Sequence, residues 1–251
     1  MSTDQPATET PAPAPVHLRD DVTVELVKHS ASDTDVLWAA RVSTAGEQSL
    51  EELTKDPERS KGLINYLMRD RHGSPFEHNS MTFFISAPIF VIREFMRHRA
   101  GWSYNEESGR YRELRPVFYV PGKERKLVQQ GRPGKYEFVA GSDEQREAAL
   151  AVMAESYERS YAAYQELLAA GVAREVARST LPVGLFSSMY ATCNARSLMH
   201  FLGLRTQHEL ARVPSFPQRE IEMVGELMEA EWAKLMPLTH AAFNANGRVA
   251  P

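Results

Sequence analysis

The chain has 251 residues and a formal net charge of −4, with 43% hydrophobic and 25% charged residues. These values are typical of a globular protein and argue against broad binding to DNA or RNA, and no stretch approaches the roughly 18 consecutive apolar residues of a membrane helix. A single cysteine excludes an intrachain disulfide and a cysteine-based zinc site, which makes a cytoplasmic location the default expectation.

The first residues differ in composition from the rest of the chain. Residues 1–17 are rich in Pro, Ala and Thr and contain no apolar core, which predicts a disordered tail and not a secretory signal. Residues 18–251 are then predicted to form one domain. It begins with a half-buried strand, because Val22, Val24 and Leu26 alternate with polar residues.

Hydrophobic spacing predicts the elements of the first half. Helical spacing indicates helices at about Asp33–Val42 and Pro57–Arg71. Alternation indicates a strand at Met81–Ser86. Pro88 then stands where its missing N–H costs nothing, so it is expected to open a helix that frays near Gly101.

The second half is predicted to be mainly helical. The polar segment Arg112–Gly141 is expected to hold one short strand, and a capping box at Ser142 and Gln145 starts the longest helix. The short strand is expected at Val117–Val120, and the long helix is expected to end at Ala170. The remaining predictions are a short helix that ends at Arg178, a helix at Asn194–Leu204 and a last helix at Ile221–Leu235. Because helices outnumber strands and do not alternate with them, we predict an α+β class, a helix-rich single domain with a small, mostly antiparallel sheet.

One segment concentrates arginine on an otherwise acidic chain. A local cationic patch of this kind suits a small phosphorylated ligand better than a polyanion. From charge alone, a solvated helix end explains the cluster equally well. The arginines, which fall inside 23 positions, are Arg93, Arg97, Arg99, Arg110, Arg112 and Arg115.

The run Trp102–Tyr111 combines hydroxyls, carboxylates, a glycine and an arginine, and it is predicted to be a binding loop. The Ser108 hydroxyl, the Gly109 N–H and the Arg110 guanidinium are groups that bind phosphate oxygens. The three residues Arg97–Arg99 cannot share one face of a helix, so they converge on a ligand only where the helix unwinds.

Two other functions fit parts of this pattern. The first is a nucleic-acid-binding module in which Trp102 and Tyr104 act as stacking platforms. The second is a metal-dependent hydrolase that uses His72, His78 and His98, although the sequence lacks a helical spacing such as H-x-x-x-H.

The order of the motifs resembles a known family. Arg97-His98-Arg99 followed by Ser-x-Asn-Glu-x-Ser-x-Arg-Tyr is similar to the signature of the flavin-dependent thymidylate synthases. The resemblance covers most of the chain beyond the tail, and the order and spacing of the blocks are more specific than any single block. The further blocks are Ala40–Ser43, His72–His78, Ala177–Pro182, Asn194–Met199, Leu204-Arg205 and Gln218–Ile221.

The resemblance implies a methyltransferase that converts dUMP to dTMP. FAD reduced by NADPH would supply the hydride, and methylenetetrahydrofolate would supply the carbon. It also implies a homotetramer that holds FAD in active sites at subunit interfaces, and no attack by an enzyme thiol. Two features agree: Cys193 lies in an apolar segment, and no G-x-G-x-x-G follows a strand.

The resemblance also assigns roles by position. Those expected to contact the flavin are Ser74, Arg97, His98, Arg99, Glu106, Asn194, Arg196 and His200. Those expected to contact the nucleotide are Glu94, Arg97, Glu106, Glu107, Ser108, Gly109, Arg110, Arg178 and Arg205. Arg205 is the catalytic candidate, because a guanidinium would stabilise negative charge that develops on the uracil. Without the motifs, a cation stabilised by the helix dipole is the preferred explanation of Arg205. His72 is a further candidate, near flavin and folate.

Three departures from the family pattern affect these assignments. One extra residue stands between Arg99 and Ser108, which predicts a longer loop. Glu94 occupies a position where many members have Gln, which puts its contact with the nucleotide in doubt. Extra residues between Arg205 and Gln218 make the match poor there, so no role is assigned to His208.

Overall fold

The computed structural model describes residues 15–46, 55–132 and 135–251. The strands are β1 (His17–Arg19), β2 (Thr23–Ser30), β3 (Ser80–Pro88), β4 (Trp102–Glu106), β5 (Val117–Tyr119), β6 (Val128–Arg132), β7 (Lys135–Val139) and β8 (Phe186–Cys193). The α-helices are α1 (Asp33–Ala45), α2 (Pro57–Arg69), α3 (Ile89–Phe95), α4 (Asp143–Ala169), α5 (Arg174–Ala177), α6 (Ala195–Arg205), α7 (Arg219–Leu235) and α8 (Pro237–Ala245). Short 3₁₀ helices span Ser74–Glu77 and Arg178–Thr180.

The chain forms two compact units. Of the described residues, the main unit consists of 21–46, 55–107 and 187–251, and the insert unit consists of 15–20, 108–132 and 135–186. Of the predicted tail, residues 1–17, the first 14 lie outside the described residues. His17 belongs to β1.

The insert unit is built on α4. Ser142 and Gln145 form the predicted capping box at its start, which satisfies two N–H groups that the helix itself leaves unpaired. One face of α4 buries Tyr157, Tyr161 and Tyr164. Phe118 of β5 stacks on Tyr157 with ring centroids 4.6 Å apart. The aromatic side chains therefore form the core that holds β5 against α4.

The main unit contains a four-stranded sheet in the order β2-β3-β8-β4. Along β3, Met81, Phe83 and Ile85 are fully buried and alternate with half-buried residues, as a strand with one core face requires. The core also contains Trp232 of α7 and Phe243 of α8, both fully buried. This core positions α6, the helix that carries the predicted site residues Arg196, His200 and Arg205.

Most of the predicted elements are confirmed, including the mixed α+β class and the mostly antiparallel pairing. Four predictions were wrong. Trp102–Glu106 is strand β4 and not a loop, because it pairs with β8. The segment Arg112–Gly141 contains the β6–β7 hairpin. The helix opened by Pro88 ends at Phe95, six residues before Gly101. Helix α8 follows the helix predicted to be last.

Candidate functional site

An aromatic cluster supports the turn that carries the Arg-His-Arg motif. The ring of Phe95 lies 5.2 Å from Trp102, 5.9 Å from Tyr104 and 4.4 Å from Phe201, measured between centroids. The Tyr104 hydroxyl donates a 2.6 Å hydrogen bond to the backbone carbonyl of His98. Because β4 supplies Trp102 and Tyr104 to this cluster, its pairing with β8 fixes the position of the turn.

The turn separates the three residues of the motif. The His98 ring packs edge-on against Phe201, with centroids 4.8 Å apart, and its Nε2 accepts a 3.0 Å hydrogen bond from Arg205 Nε. Burial, together with the charge of Arg205 and a smaller effect of His200, lowers the pKa of His98 to about 4. The imidazole is therefore neutral at pH 7, as an acceptor must be.

Arg97 and Arg99 flank this histidine and are exposed. Within the part of the chain that the structure describes, neither side chain forms a hydrogen bond or an ion pair. Two guanidinium groups on one short turn, each without an acidic partner, are suited to binding an anionic group.

Arg205, the last residue of α6, lies between two side chains of the main unit. Its Nη1 is paired with Glu94, and its Nε donates to His98. The side chains of Arg205 and Glu94 are only 21% and 24% exposed, so solvent screens this pair less than an exposed one. The Glu94 carboxylate thus holds the guanidinium that the sequence proposed as catalytic, an arrangement more specific than a cation at a helix end.

The start of α6 brings together several of the predicted flavin contacts. Asn194 caps the helix, its Oδ1 accepting a 2.9 Å hydrogen bond from the Ser197 N–H. Arg196 is paired with Glu77 and donates a 2.6 Å hydrogen bond from Nε to the carbonyl of Pro251. A Cβ at Gly73 would come within 2.5 Å of the Arg196 guanidinium, so a larger residue there would displace that side chain.

Two other predicted flavin contacts lie in the main unit. Ser74 is exposed and begins the 3₁₀ helix that ends at Glu77. His200 lies one turn of α6 beyond Arg196. Desolvation and the nearby charges of Arg196 and Arg71 lower the pKa of His200, which favours its neutral form.

Two carboxylates at the end of β4 are fixed by serines of β8. The Ser187 hydroxyl donates to Glu106 at 2.7 Å, and the Ser188 hydroxyl donates to Glu107 at 3.0 Å. The Glu107 N–H also donates to the Ser188 carbonyl. Both carboxylates keep acceptor capacity for a ligand, because an ionised carboxylate accepts several hydrogen bonds.

In the insert unit, Ser108–Arg110 forms a tight turn against Arg178. The Ser108 hydroxyl accepts a 3.3 Å hydrogen bond from the Arg110 N–H, and the Ser108 carbonyl accepts from the Tyr111 N–H. A Cβ at Gly109 would lie 3.2 Å from the Arg178 side chain and closer still to Leu114. The structure therefore brings together Gly109 and Arg178, two of the residues predicted to contact the nucleotide.

The two arginines of this group differ in their partners. Arg110 Nε donates a 3.0 Å hydrogen bond to Glu175 in an exposed ion pair. Arg178 lies at the start of the second 3₁₀ helix, and its guanidinium forms no hydrogen bond or ion pair within the described ranges. The guanidinium of Arg178 is thus more available than that of Arg110 to bind an anionic ligand.

The histidines of the hydrolase hypothesis have separate surroundings. His72 stacks on Tyr66, and His78 packs edge-on against Trp38. Within residues 15–46, 55–132 and 135–251, no group of three or more His, Cys, Asp or Glu side chains could hold a metal ion. None of the helices in these ranges is long and apolar enough to cross a membrane.

Comparison with known proteins assigns the chain to a family. A family model described as "Thymidylate synthase complementing protein" matches residues 25–238. A Streptomyces avermitilis protein named flavin-dependent thymidylate synthase is 85% identical over 233 residues, which cover 93% of this chain and 95% of that relative. The chain belongs to the flavin-dependent thymidylate synthase family. A second member, from Streptomyces coelicolor, is 80% identical over 245 residues, covering 97% of this chain and all of the relative.

A solved structure from this family is similar throughout. The crystal structure of the UMP/dUMP methylase PolB from Streptomyces cacaoi, bound with 5-Br dUMP, matches with a TM-score of 0.88 at 57% identity. The match covers 94% of this chain and 100% of that one. The same methylase bound with 5-Br UMP matches with a TM-score of 0.87.

Several side chains at these groups were not predicted as contacts of the flavin or the nucleotide. They act by holding predicted residues in place, and all but Tyr104, which is six residues from His98, lie 65 or more residues from the residue that they contact. These side chains are Glu77 beside Arg196, Glu175 beside Arg110, Ser187 and Ser188 beside the β4 carboxylates, and Tyr104 beneath His98. Glu77 lies within a family motif, which is the one signal that could have indicated it.

Proposed function

We propose that this protein methylates dUMP to dTMP, with methylenetetrahydrofolate as carbon donor and FAD reduced by NADPH as hydride source. The observation that carries the proposal is the Glu94–Arg205–His98 arrangement beside the Arg97–Arg99 turn. A guanidinium held in this way is preorganised to stabilise negative charge. Family membership and the resemblance of the motifs support the same activity.

The residues of the main unit fit a flavin dinucleotide. Arg97 and Arg99 are exposed cations that would bind its phosphates, and His98 lies between them. The other proposed flavin contacts are Ser74, Glu106, Asn194, Arg196 and His200. When bound, the reduced flavin supplies the hydride and carries the methylene group to the uracil.

The nucleotide phosphate is proposed to bind the turn of the insert unit. Ser108, Gly109 and Arg110 offer a hydroxyl, a backbone N–H and a guanidinium, and Arg178 adds a second cation. Arg205, Glu94, Glu106 and Glu107 are proposed to contact the pyrimidine and the sugar. The two sets need not come from one chain, because we also propose a homotetramer with active sites at subunit interfaces.

Arg205 is proposed to stabilise the transition state. Negative charge develops on the uracil when a nucleophile such as hydride adds to the ring, and a guanidinium stabilises that charge more in the transition state than in the ground state. Glu94 and His98 hold the guanidinium before the reaction begins. The neutral form of His98 suits this role, since a protonated ring would repel Arg205.

The proposed mechanism uses no enzyme thiol. Cys193 is 3% exposed, and burial raises the pKa of its thiol, so it stays protonated. A protonated thiol is a poor nucleophile. Its place in β8, opposite Trp102, is that of a core residue.

Cys193→Ala is therefore expected to retain most of the dTMP synthesis of the parent, with a small loss of stability from the missing sulfur. The measurement is the dTMP formation rate at saturating dUMP, with the melting temperature recorded alongside. Complete loss of activity in a variant that still folds and binds FAD would mean that a thiol takes part after all.

The decisive experiment for the activity combines a spectrum with an omission series. We expect the purified protein to bind FAD, with flavin absorbance, and to form dTMP only when dUMP, the folate and NADPH are all present. UMP is assayed in parallel, because the related PolB is described as a UMP/dUMP methylase. A protein without bound flavin that binds nucleic acid with steep salt dependence would support the nucleic-acid-binding alternative instead. A cytoplasmic location and the absence of membrane and nucleic-acid partners complete the proposal.

A further inference from the structure

Residues 248–251, which we call the strap, are buried except for the half-buried Val249, although they follow α8. Arg248 is 3% exposed, Ala250 is 7% exposed, and Pro251 is also buried. Arg248 has φ 54°, in the left-handed region that residues other than glycine rarely adopt. Arg71, whose side chain touches the strap, has φ 64°. Within the described ranges these are the two non-glycine residues with positive φ, so the surrounding structure must hold both in place.

The Arg248 side chain anchors the beginning of the strap. Its guanidinium donates to both carboxylate oxygens of Glu229, at 2.6 and 2.7 Å, and to Asn244 Oδ1 at 2.7 Å. Its Nη2 also donates a 3.1 Å hydrogen bond to the Thr206 hydroxyl. Thr206 is the C-cap of α6 and directly follows Arg205. The anchor therefore reaches the end of α6 that carries the proposed catalytic guanidinium.

The anchor is charged at neutral pH. Burial would raise the pKa of Glu229, but hydrogen bonds from Arg248 and His240 outweigh it and hold that pKa at about 2. The distance from His240 Nε2 to Glu229 Oε1 is 2.8 Å. Hydrogen bonds to ionised partners are stronger than neutral ones, so this end of the strap is held firmly.

From its anchor, the strap continues along α6 to the other end of the helix. A Cβ at Gly203 would lie 3.2 Å from the Arg248 carbonyl, and the Pro251 carbonyl accepts the 2.6 Å hydrogen bond from Arg196. Three extended residues span roughly 10 Å, and the seven helical positions from Gly203 to Arg196 also span roughly 10 Å. On the way, the Ala250 carbonyl accepts a 2.6 Å hydrogen bond from Arg71.

We propose that the strap positions α6 for catalysis, with Arg248 and the 249–251 backbone acting as positioning groups. This inference rests on the proposed function, because α6 and its cap carry Asn194, Arg196, His200 and Arg205. The strap contacts Arg196 at the flavin end of the helix and Thr206 at the catalytic end. It thereby fixes the spacing between the flavin contacts and the guanidinium that meets the uracil.

Two variants test the two ends separately. A chain that ends at Arg248 keeps the Glu229 anchor but loses the carbonyls that hold Arg196 and Arg71. We expect its FAD dissociation constant to rise about tenfold or more, the scale set by losing a hydrogen bond to a charged group.

Arg248→Lys keeps the positive charge beside Glu229 but loses the planar fork that also reaches Thr206. We expect this variant to bind FAD much as the parent does and to transfer the methyl group about tenfold more slowly in single turnover.

The control is Ile64→Val, a substitution in the fully buried core that lowers stability and removes none of the hydrogen bonds of the strap. FAD affinity and single-turnover rate should stay at the parent values in this variant at temperatures well below its melting point. Amide exchange within residues 195–205 of the flavin-free protein should accelerate in both strap variants and not in the control.

The outcomes separate this inference from the proposed function. A parent protein that does not bind FAD would overturn the proposed function itself. If the parent binds FAD and both strap variants match it in affinity and rate, the strap is only structural and the inference is wrong. If Arg248→Lys does not fold, the chain ending at Arg248 decides the question through its FAD affinity and amide exchange.

Discussion

Arg205→Lys is expected to lower the single-turnover rate of methyl transfer by about 10²-fold or more, the effect of losing one preorganised transition-state donor. The arginine uses Nε for His98 and Nη1 for Glu94. Its Nη2 forms no hydrogen bond in the described part of the chain and is free to meet the ligand. A lysine keeps the charge but has one nitrogen, which cannot hold these two partners in the same geometry while meeting the uracil.

The measurement is made at saturating dUMP, because part of the loss can otherwise appear as weaker binding. The variant should still bind FAD and still be reduced by NADPH, since neither step needs the pyrimidine contact. Arg219→Lys is the matched control, because Arg219 is also paired with carboxylates, those of Glu222 and Glu226. A lysine variant at position 205 that turns over dUMP at the control rate would make Arg205 an ordinary helix-end cation.

Arg178→Ala should weaken dUMP binding by about 1.5–3 kcal/mol, the usual contribution of a hydrogen bond to a charged group. Arg110→Ala should weaken it less, because Arg110 already shares its charge with Glu175. Deoxyuridine, which lacks the phosphate, should bind the parent and both variants with similar affinity. Calorimetric titration of the two ligands against each variant gives the comparison.

Arg174→Ala controls for the loss of a positive charge near this turn, because Arg174 is an exposed residue of α5 with no proposed ligand contact. Its dUMP affinity should stay close to that of the parent at 0.15 M salt, where exposed charges are largely screened. Equal losses for dUMP and deoxyuridine in the Arg178 variant would contradict the phosphate role.

The helices could be predicted from sequence because their signals are local. The Ser142–Gln145 box starts α4 where expected, and Asn194 caps α6. Pro88 does precede α3, but the helix was predicted to be longer than it is, because it ends at Phe95 and not near Gly101. Its end depends on the aromatic cluster beneath residues 96–101, which draws Phe201 from more than 100 residues away.

The strands that were missed depend on partners distant in sequence. Trp102 and Tyr104 alternate with exposed Ser103 and Asn105, which is the period-two pattern of a strand. The segment was nevertheless predicted to be a loop, because it is rich in residue types that are common in binding loops. These residues form a strand because they pair with β8. Whether a segment becomes a strand depends more on its neighbours in the sheet than on its own residues.

The candidate site was predictable by residue type but not by arrangement. Arg205, His98 and Glu94 were each named from the motifs, yet their mutual hydrogen bonds could not be inferred, because over 100 residues separate Arg205 from the other two. Gly109 and Arg178 were each named through the family resemblance, but their contact with each other was not predicted. Glu175, which competes for Arg110, gave no signal.

The order of the sheet has a consequence for synthesis on the ribosome. Strand β3 emerges about 100 residues before β8, its neighbour in the sheet, which at ~5–20 residues per second is a delay of roughly 5–20 s. Throughout that interval β3 pairs only with β2 and presents an open edge next to the apolar side chains of Met81, Phe83 and Ile85. Such edges recruit strands from other chains, so the nascent protein is open to aggregation through this edge until β8 has been translated.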